Sequence, residues 1–384
     1  MKIALITKRV SQSLGGAERV SANLAAKLSK AGHDVHIFTG HMDTAIEGTE
    51  TRLIKTVKWL SPLRLLSFQH KVRNILRKEK FDLVYSLCQV YPVDIYRVGD
   101  GIHRHWMKVQ YPVALLRWIK YLTSLVHLVM RFLEGKIFQY ADHRLFITNS
   151  QLVKNQIIEY FHIPEEKIKV IYNGVDSNVF NPGVKEYRNE MRIKHQICDK
   201  DLVILFVSNN WERKGLSTII EAISKDGNEK TRLLVVGRGN PGHYTSLAAE
   251  KKISPDQIIF IGRTGDVEKY YGMSDIFVLP SRYEPFANAC LEAMACGLPV
   301  ITTRTNGASE IISPGRDGFI LDDWRDSGSL ASFIKNMTIE SLRREIGTNA
   351  AKAAENYTWE RHIEETRRVF DLVAGQNPEN TPLF

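Results

Sequence analysis

The sequence predicts an α/β chain of two doubly wound parallel-sheet domains. Three observations predict it: short apolar runs rich in β-branched residues, amphipathic stretches between them, and a restart of that alternation past mid-chain. The chain has 384 residues, too many for one ordinary domain and suited to two of about 150 to 190 residues each. With 43% hydrophobic and 25% charged residues, disorder is excluded.

The runs KIALIT, DVHIF, DLVYSL and HRLFIT read as buried strands of a first domain. Between the first two, Val20, Leu24 and Leu28 recur at helical spacing and Gly32 stops the helix. The series restarts with LVILFVS, RLLVVG, QIIFIG, DIFVLP, PVITT and GFIL. Continuous apolar strands alternating with helices are the signature of parallel sheets covered on both faces. Asn, Gly, Asp and Pro cluster after VIY, which places the break near 175–195 and the domains at 1–175 and 176–358. The tail GQNPENTPLF has no periodicity and reads as mobile.

A net charge of +9 suits a phosphate-bearing partner, either nucleic acid or an anionic membrane, but equally a basic enzyme. No recognition helix, zinc spacing or aromatic RNA-binding set supports nucleic acid, so no nucleic-acid partner is expected. Cys88, Cys198, Cys290 and Cys296 form no CxxC pair and read as reduced thiols of a cytoplasmic protein. MKIALITKRV reads as a first strand rather than a signal peptide. Nowhere do 18 uncharged apolar residues run together, so no transmembrane helix is expected.

Ligands of open parallel sheets sit beyond the strands' carboxyl ends, where helix N-termini offer N–H groups. In VSNNWERKG, Arg213 and Lys214 stand on such a turn and suit a phosphate; the alternative is solvated surface charge. VVGRGNPG places Gly237, Gly239 and Gly242 in a GxGxxG pattern, which keeps a nicotinamide-binding oxidoreductase as a rival. A glycine turn before a Pro-started helix explains it without a cofactor. In SRYEPFANACLEAMACG, a helix begun near Pro285 would set Glu284 at its mouth, beside the amides of Phe286, Ala287 and Asn288. Glu292 would follow two turns on. One carboxylate then suits sugar hydroxyls and the other a ribose diol; the alternative is a helix-capping acid and an exposed Glu.

The stretch SRYEPFANACLEAMACGLPVITT, followed by NGASEII and DGFIL, resembles the E-x7-E region of the retaining glycosyltransferases of family 4. GGAER and RKG fit as well, and the resemblance covers nearly the whole chain. It implies a GT-B fold, two Rossmann-like domains facing a central cleft, with a last helix, 359–374, returning to the first domain through Trp359, Ile363 and Val369. Carried over by position, Arg213 and Lys214 would bind the donor diphosphate and Glu292 the ribose. Glu284 and the Phe286–Asn288 amides would hold the transferred sugar. Gly15 and Gly16 would approach the diphosphate, and Arg263 and Thr264 would lie beside the base. Many members carry an Arg where this chain has Asn209; Arg213 is expected to supply that cation. The same departure resembles the lipopolysaccharide core glucosyltransferase I group, which implies UDP-glucose as donor, a lipid-linked saccharide as acceptor and the cytoplasmic face of the inner membrane as location. The alternatives are a member of the same family that uses UDP-GlcNAc or GDP-mannose on a different glycan, and a non-catalytic nucleotide-sugar binding protein. No Asp-x-Asp suggests a metal, and no cofactor is expected.

In YRVGDGIHRHW, Asp100 or His103 could contact the acceptor or the transferred sugar, or Asp100 could simply cap the next segment. Residues 111–134 read as one helix whose polar residues Arg117, Lys120, Thr123/Ser124, His127, Arg131 and Glu134 form a stripe bordered by Trp118, Tyr121 and Phe132. Burial in the domain core is the first expectation. A membrane interface contacted by Arg117, Trp118, Lys120, Tyr121 and Arg131, with Lys108, Lys136 and Arg144 adding charge, is the second, and a protein partner the third.

Overall fold

The computed structural model describes residues 1–10, 17–43, 45–57, 60–139 and 145–376, without the side chains of 17–20 and 376. Gly15, Gly16 and Arg144 lie outside the described residues, as does the side chain of Val20. The chain forms two compact units: Met1–Tyr172 with His362–Phe384, and Asn173–Arg361.

Unit 1 holds β1 (Lys2–Thr7), β2 (Asp34–Thr39), β3 (Thr49–Leu53), β4 (Leu83–Ser86), β5 (Ile95–Val98), β6 (Leu145–Thr148) and β7 (Ile168–Val170). All run parallel in the order β3-β2-β1-β4-β5-β6-β7. Side chains alternate across a strand, so β1 sends Ile3 and Leu5 into one apolar cluster and Ala4 and Ile6 into another. Both faces are thus covered, as a parallel sheet requires. Its helices are α1 (Ala17–Lys30), α2 (Ser61–Lys78), α3 (His103–Gln110), α4 (Ala114–Thr123), α5 (Leu125–Gln139) and α6 (Gln151–Phe161). Leu24 and Leu28 of α1 are buried against the sheet, and Gly32 takes a φ of 84° just beyond the helix end.

Unit 2 holds β8 (Leu202–Val207), β9 (Thr231–Val236), β10 (Ile258–Gly262), β11 (Ile276–Leu279), β12 (Val300–Thr303) and β13 (Gly318–Leu321), parallel in the order β10-β9-β8-β11-β12-β13. Helices α7 (Arg188–Lys194), α8 (Leu216–Asp226), α9 (Pro241–Glu250), α10 (Val267–Met273), α11 (Asn288–Ala295), α12 (Ser327–Asn336) and α13 (Glu340–Ala354) accompany them. A last helix, α14 (Trp359–Gln376), begins in unit 2, where the amide of Trp359 donates to Val175 O, and continues in unit 1. There Ile363, Val369 and Phe370 join the core, and Phe370 meets Tyr85 edge-on at 5.1 Å.

Residues 111–134 correct the expectation of a single, core-packed helix. The backbone breaks at Ser124 between α4 and α5. The polar stripe is the more buried face: Arg117, Lys120, Ser124, His127 and Arg131 are half-buried and Glu134 is buried. The apolar side chains point to solvent, with Leu115 68%, Trp118 53% and Leu122 79% exposed. Packing on the unit is carried by Tyr121, Val129, Leu133, Ile137 and Phe138 instead. No helix among the described residues is long and apolar enough to cross a membrane.

Candidate active site

Strand order creates the site in unit 2. Because β8 pairs with β11 and β11 with β12, the loops leaving their carboxyl ends are neighbours. The first carries Arg213 and Lys214, the second Glu284, the third Thr305–Gly307.

The loop after β8 is pressed against the end of β11. Gly215 has a φ of 76°, and a Cβ there would lie 2.2 Å from Pro280 O. Only glycine fits such a left-handed, crowded position. The amide of Arg282 donates to Arg213 O at 2.8 Å, joining the two loops. As a result Lys214 Nζ lies 2.5 Å and Arg213 Nη2 3.1 Å from Glu284 Oε2. Lys214 is buried, and desolvation lowers its pKa while the Glu284 carboxylate pulls it back up. Two cations facing one carboxylate leave one positive charge over, which suits an incoming anion.

Glu284 is held by its backbone. Its amide donates to Thr305 O at 3.0 Å, and its carbonyl accepts from the Gly307 amide at 2.9 Å. The helix expected from Pro285 starts later, at Asn288, so Glu284 stands in a bridge to Asn306 rather than at a helix mouth. The Ala287 amide, expected to face a sugar, donates to Asn306 Oδ1 at 3.1 Å. Asn288 Oδ1 accepts from Asn173 Nδ2 at 2.6 Å.

Asn306 has no role in the sequence reading. It is fully buried; Oδ1 accepts from the Ala287 and Ala308 amides, and Nδ2 donates to Thr302 Oγ1. It therefore fixes the loop between Glu284 and α11. The Asn-Gly pair after β12 is a turn signal that marks this position. Glu292, inside α11, accepts from the buried Tyr271 hydroxyl of α10 at 2.9 Å through Oε2. Burial and that carboxylate push the Tyr271 pKa well up.

Asn209 plays a backbone role: its Oδ1 accepts from the Arg238 amide at 2.9 Å, tying the loops after β8 and β9. The GxGxxG glycines belong to the same junction. A Cβ on Gly237 would lie 2.1 Å from Ser208 O, and one on Gly239 2.3 Å from the Trp211 ring. Close packing of the β8 and β9 loops therefore accounts for Gly237 and Gly239 without a dinucleotide. Arg263 is exposed beyond β10, and Thr264 Oγ1 accepts from the Asp266 amide at 3.1 Å. β10 is an edge strand two places from β8, so these two are not brought into the Lys214–Glu284 cluster.

In unit 1, Asp100 leaves β5 and pairs with Lys8 beyond β1 at 3.2 Å, both largely exposed. His103 opens α3 and turns into the helical layer. It stacks on His127 at 5.2 Å and meets Tyr121 edge-on. Burial, and secondarily His127, lower its pKa to about 4. Glu134 of α5 accepts from the amides of His103 at 2.5 Å and Arg104 at 3.2 Å, capping α3 from a distance; burial raises its pKa to about 7. Among the described residues no group of three or more His, Cys, Asp and Glu is placed to hold a metal ion.

Comparison with known proteins agrees with this layout. Residues 187–353 match the family model of glycosyl transferases group 1, and residues 14–179 that of glycosyltransferase family 4. The chain belongs to the group 1, family 4 glycosyltransferases. N-acetyl-alpha-D-glucosaminyl L-malate synthase of Bacillus anthracis is 23% identical over 93% of this chain and 94% of its own. The crystal structure of WaaG, a glycosyltransferase involved in lipopolysaccharide biosynthesis, superposes with a TM-score of 0.82 at 20% identity, covering 96% of this chain and 99% of WaaG. Anabaena HepE, solved in complex with UDP-glucose, gives 0.72 at 19% identity over 97% and 100%. These structural likenesses show the GT-B fold. Within a glycosyltransferase, the Arg213–Lys214–Glu284 cluster lies in the half matched by the group 1 model, and the family placement replaces the oxidoreductase alternative.

Proposed function

We propose that this glycosyltransferase moves glucose from UDP-glucose to a lipid-linked saccharide at a membrane surface, with retention of anomeric configuration. The observation that carries the donor side is the pairing of Lys214 and Arg213 with Glu284 across β8 and β11. A nucleotide diphosphate would draw the two cations away from Glu284 and leave that carboxylate to accept from sugar hydroxyls. Glu292, at the side of α11, would take the ribose hydroxyls. In the reaction the bond from the anomeric carbon to the diphosphate breaks and one to an acceptor hydroxyl forms on the same face. The hydroxyl proton leaves with the diphosphate. Arg213 and Lys214 stabilise the developing charge in a partly dehydrated setting, the role a metal would otherwise fill. Asp100 is the unit 1 residue assigned to the acceptor side. The UDP-glucose complex of HepE and the lipopolysaccharide role of WaaG support the choice of substrates.

The acceptor side rests on α4 and α5. An apolar face that a folded unit turns outward, with Arg117, Lys120 and Arg131 behind it, suits insertion into the headgroup region, where cationic stems snorkel to phosphates. On this reading the protein works at the cytoplasmic face of the inner membrane.

The test is transfer from radiolabelled UDP-, GDP- and ADP-sugars, with and without deep-rough lipopolysaccharide and with EDTA or Mg²⁺ added, followed by NMR of the anomeric proton. Glucose transferred from UDP-glucose to the lipid in the α configuration, lost in Lys214→Ala, is the expected result. Transfer from another donor would reassign the base or sugar, and an EDTA-sensitive reaction would reassign the leaving-group chemistry. Donor hydrolysis without transfer would overturn the acceptor.

A further inference from the structure

Unit 2 has a cavity of ≈ 460 Å³ at the amino ends of its strands, the opposite edge of the sheet from Lys214 and Glu284. Asp275, one residue ahead of β11, stands in its wall, with the turn Pro182–Tyr187, the start of α7 and the first turn of α13 around it. Lys185, Arg188, Arg343 and Arg344 line the cavity against Asp199, Asp275 and Glu340. Four cations facing three carboxylates leave one positive charge over, and the buried Arg192 on the far side of Asp275 adds a second.

Asp275 has no acceptor capacity to spare for them. Its Oδ1 accepts from Arg188 Nη2 at 2.9 Å, and its Oδ2 from Arg192 Nη2 at 2.7 Å and the Val203 amide at 2.8 Å. Burial pushes its pKa up, yet Arg188, Arg192, the Val203 amide and Arg343 outweigh burial and hold it below its ordinary value. Arg343 Nε stays 3.7 Å from Asp275 Oδ1, outside hydrogen-bond range. Lys185 Nζ donates to Ser274 O at 2.9 Å, which uses one of its three N–H bonds. Ile339, ahead of α13, gives that helix no side-chain cap, so its first-turn amides add to the positive potential on this side.

We propose that this cavity binds a small phosphate ester that carries hydroxyl groups, such as a monosaccharide phosphate. Lys185, Arg188 and Arg343 hold the phosphate, since guanidinium and ammonium groups donate charge-assisted hydrogen bonds to its oxygens. The cavity is larger than a lone phosphate needs, and Asp199 and Glu340 supply acceptors for hydroxyls. A bare anion would meet those carboxylates with repulsion, and a neutral sugar would leave the cations unanswered. An ester with both parts satisfies both. The site is separate from the donor cluster, which lies past the carboxyl ends of the same strands.

Lys185 gives binding a pH signature. Burial lowers its pKa to about 8, Asp275 raises it, and Arg188 and Arg192 lower it; the nearby Cys296 thiol, itself pushed up by burial, stays neutral. A phosphate dianion beside Lys185 favours the ammonium form. Binding therefore takes up protons near pH 8 and weakens as pH rises from 7 to 9.

Isothermal titration of the full chain with glucose 6-phosphate, in the presence of saturating UDP to fill the donor site, tests it. Inorganic phosphate, with the charge but not the hydroxyls, and glucose, with the hydroxyls but not the charge, are the comparisons. Glucose 6-phosphate is expected to bind at least about tenfold tighter than either. Lys185→Gln, which keeps a donor for Ser274 O, should lose about tenfold in affinity, the worth of one charged hydrogen bond. Arg344→Gln, at a side chain 79% exposed, serves as a second variant that leaves folding intact and should weaken binding less. Melting temperature and UDP affinity, both expected to be unchanged in Arg344→Gln, are the controls. Equal affinity for glucose 6-phosphate and inorganic phosphate would overturn hydroxyl recognition. No binding of glucose 6-phosphate, or binding seen only without UDP, would overturn the site. So would wild-type affinity in Lys185→Gln.

Discussion

Lys214 and Glu284 meet at 2.5 Å although 70 positions separate them in sequence, because β8 and β11 are adjacent strands whose carboxyl ends release both loops side by side. Glu284→Ala removes the carboxylate that compensates a buried ammonium. A loss of about 3 kcal/mol in unfolding free energy is expected from breaking such a pair. Glu284→Gln keeps a hydrogen-bond acceptor and should lose less stability, while its transfer rate falls about 100-fold or more. Denaturant unfolding beside initial rates separates the two effects; equal stability of both variants with the wild type would refute the coupling.

Arg213 should behave differently from Lys214. Its side chain is 30% exposed, so Arg213→Ala is expected to cost no more than about 1 kcal/mol in stability. Its mark is a donor KM raised about tenfold, measured with UDP-glucose at saturating acceptor.

Gly215→Ala tests whether the tight turn positions Lys214. The new Cβ would meet Pro280 O at a φ of 76°, and the loop must shift to relieve it. A donor affinity at least about tenfold weaker, read by titration with UDP, is the expected result. Wild-type affinity would mean that the loop accommodates the methyl without moving Lys214.

The helical layer of unit 1 carries opposed pH terms, Glu134 on one side and His103, with its neighbours His105 and His127, on the other; burial lowers the pKa of all three histidines. Glu134 has its pKa raised to about 7, so its protonated form favours the fold and that stability is lost as pH rises from 4.5 to 7. His103 has its pKa lowered to about 4, so its stability is lost as pH falls from 6.5 to 4. The two windows overlap and offset each other. Glu134→Gln removes the first and should unmask acid destabilisation on the order of 2–3 kcal/mol between pH 6.5 and 4. Melting temperatures that fall more steeply toward acid in the variant than in the wild type are the expected pattern; parallel profiles would refute the Glu134 contribution.

Leu115→Glu/Leu122→Glu changes two of the most exposed apolar side chains, so folding stability should stay within about 1 kcal/mol. Co-sedimentation with anionic vesicles should drop about tenfold or more. Undiminished sedimentation would assign the outward apolar face to a protein partner instead.

Strands buried on both faces were legible because nothing but continuous β-branched apolar runs satisfies that environment; β1, β2 and β8–β13 stand where such runs stand. β3 escaped because TETRL is polar and sits at the sheet edge, where backbone pairing to β2 stabilises it without side-chain burial. Arg213, Lys214 and Glu284 were legible as residues, since turns after strands need polar chemistry and the motif spacing is specific. Their contact was not, nor was Asn306, whose side chain joins its own turn, through Thr302 and Ala308, to Ala287 and Cys290 of a remote segment.

The sequence by itself therefore determined the two parallel-sheet units and which loops carry cations and carboxylates, because periodicity and strand-end chemistry are local properties. Tertiary structure alone decided which loops became neighbours, where α11 begins, and which face of α4–α5 looks outward. A helical stripe specifies two faces but not which is inside; that choice depends on what the rest of the unit offers to pack against. Here Glu134 is drawn inward to cap α3, and the leucines are left to solvent.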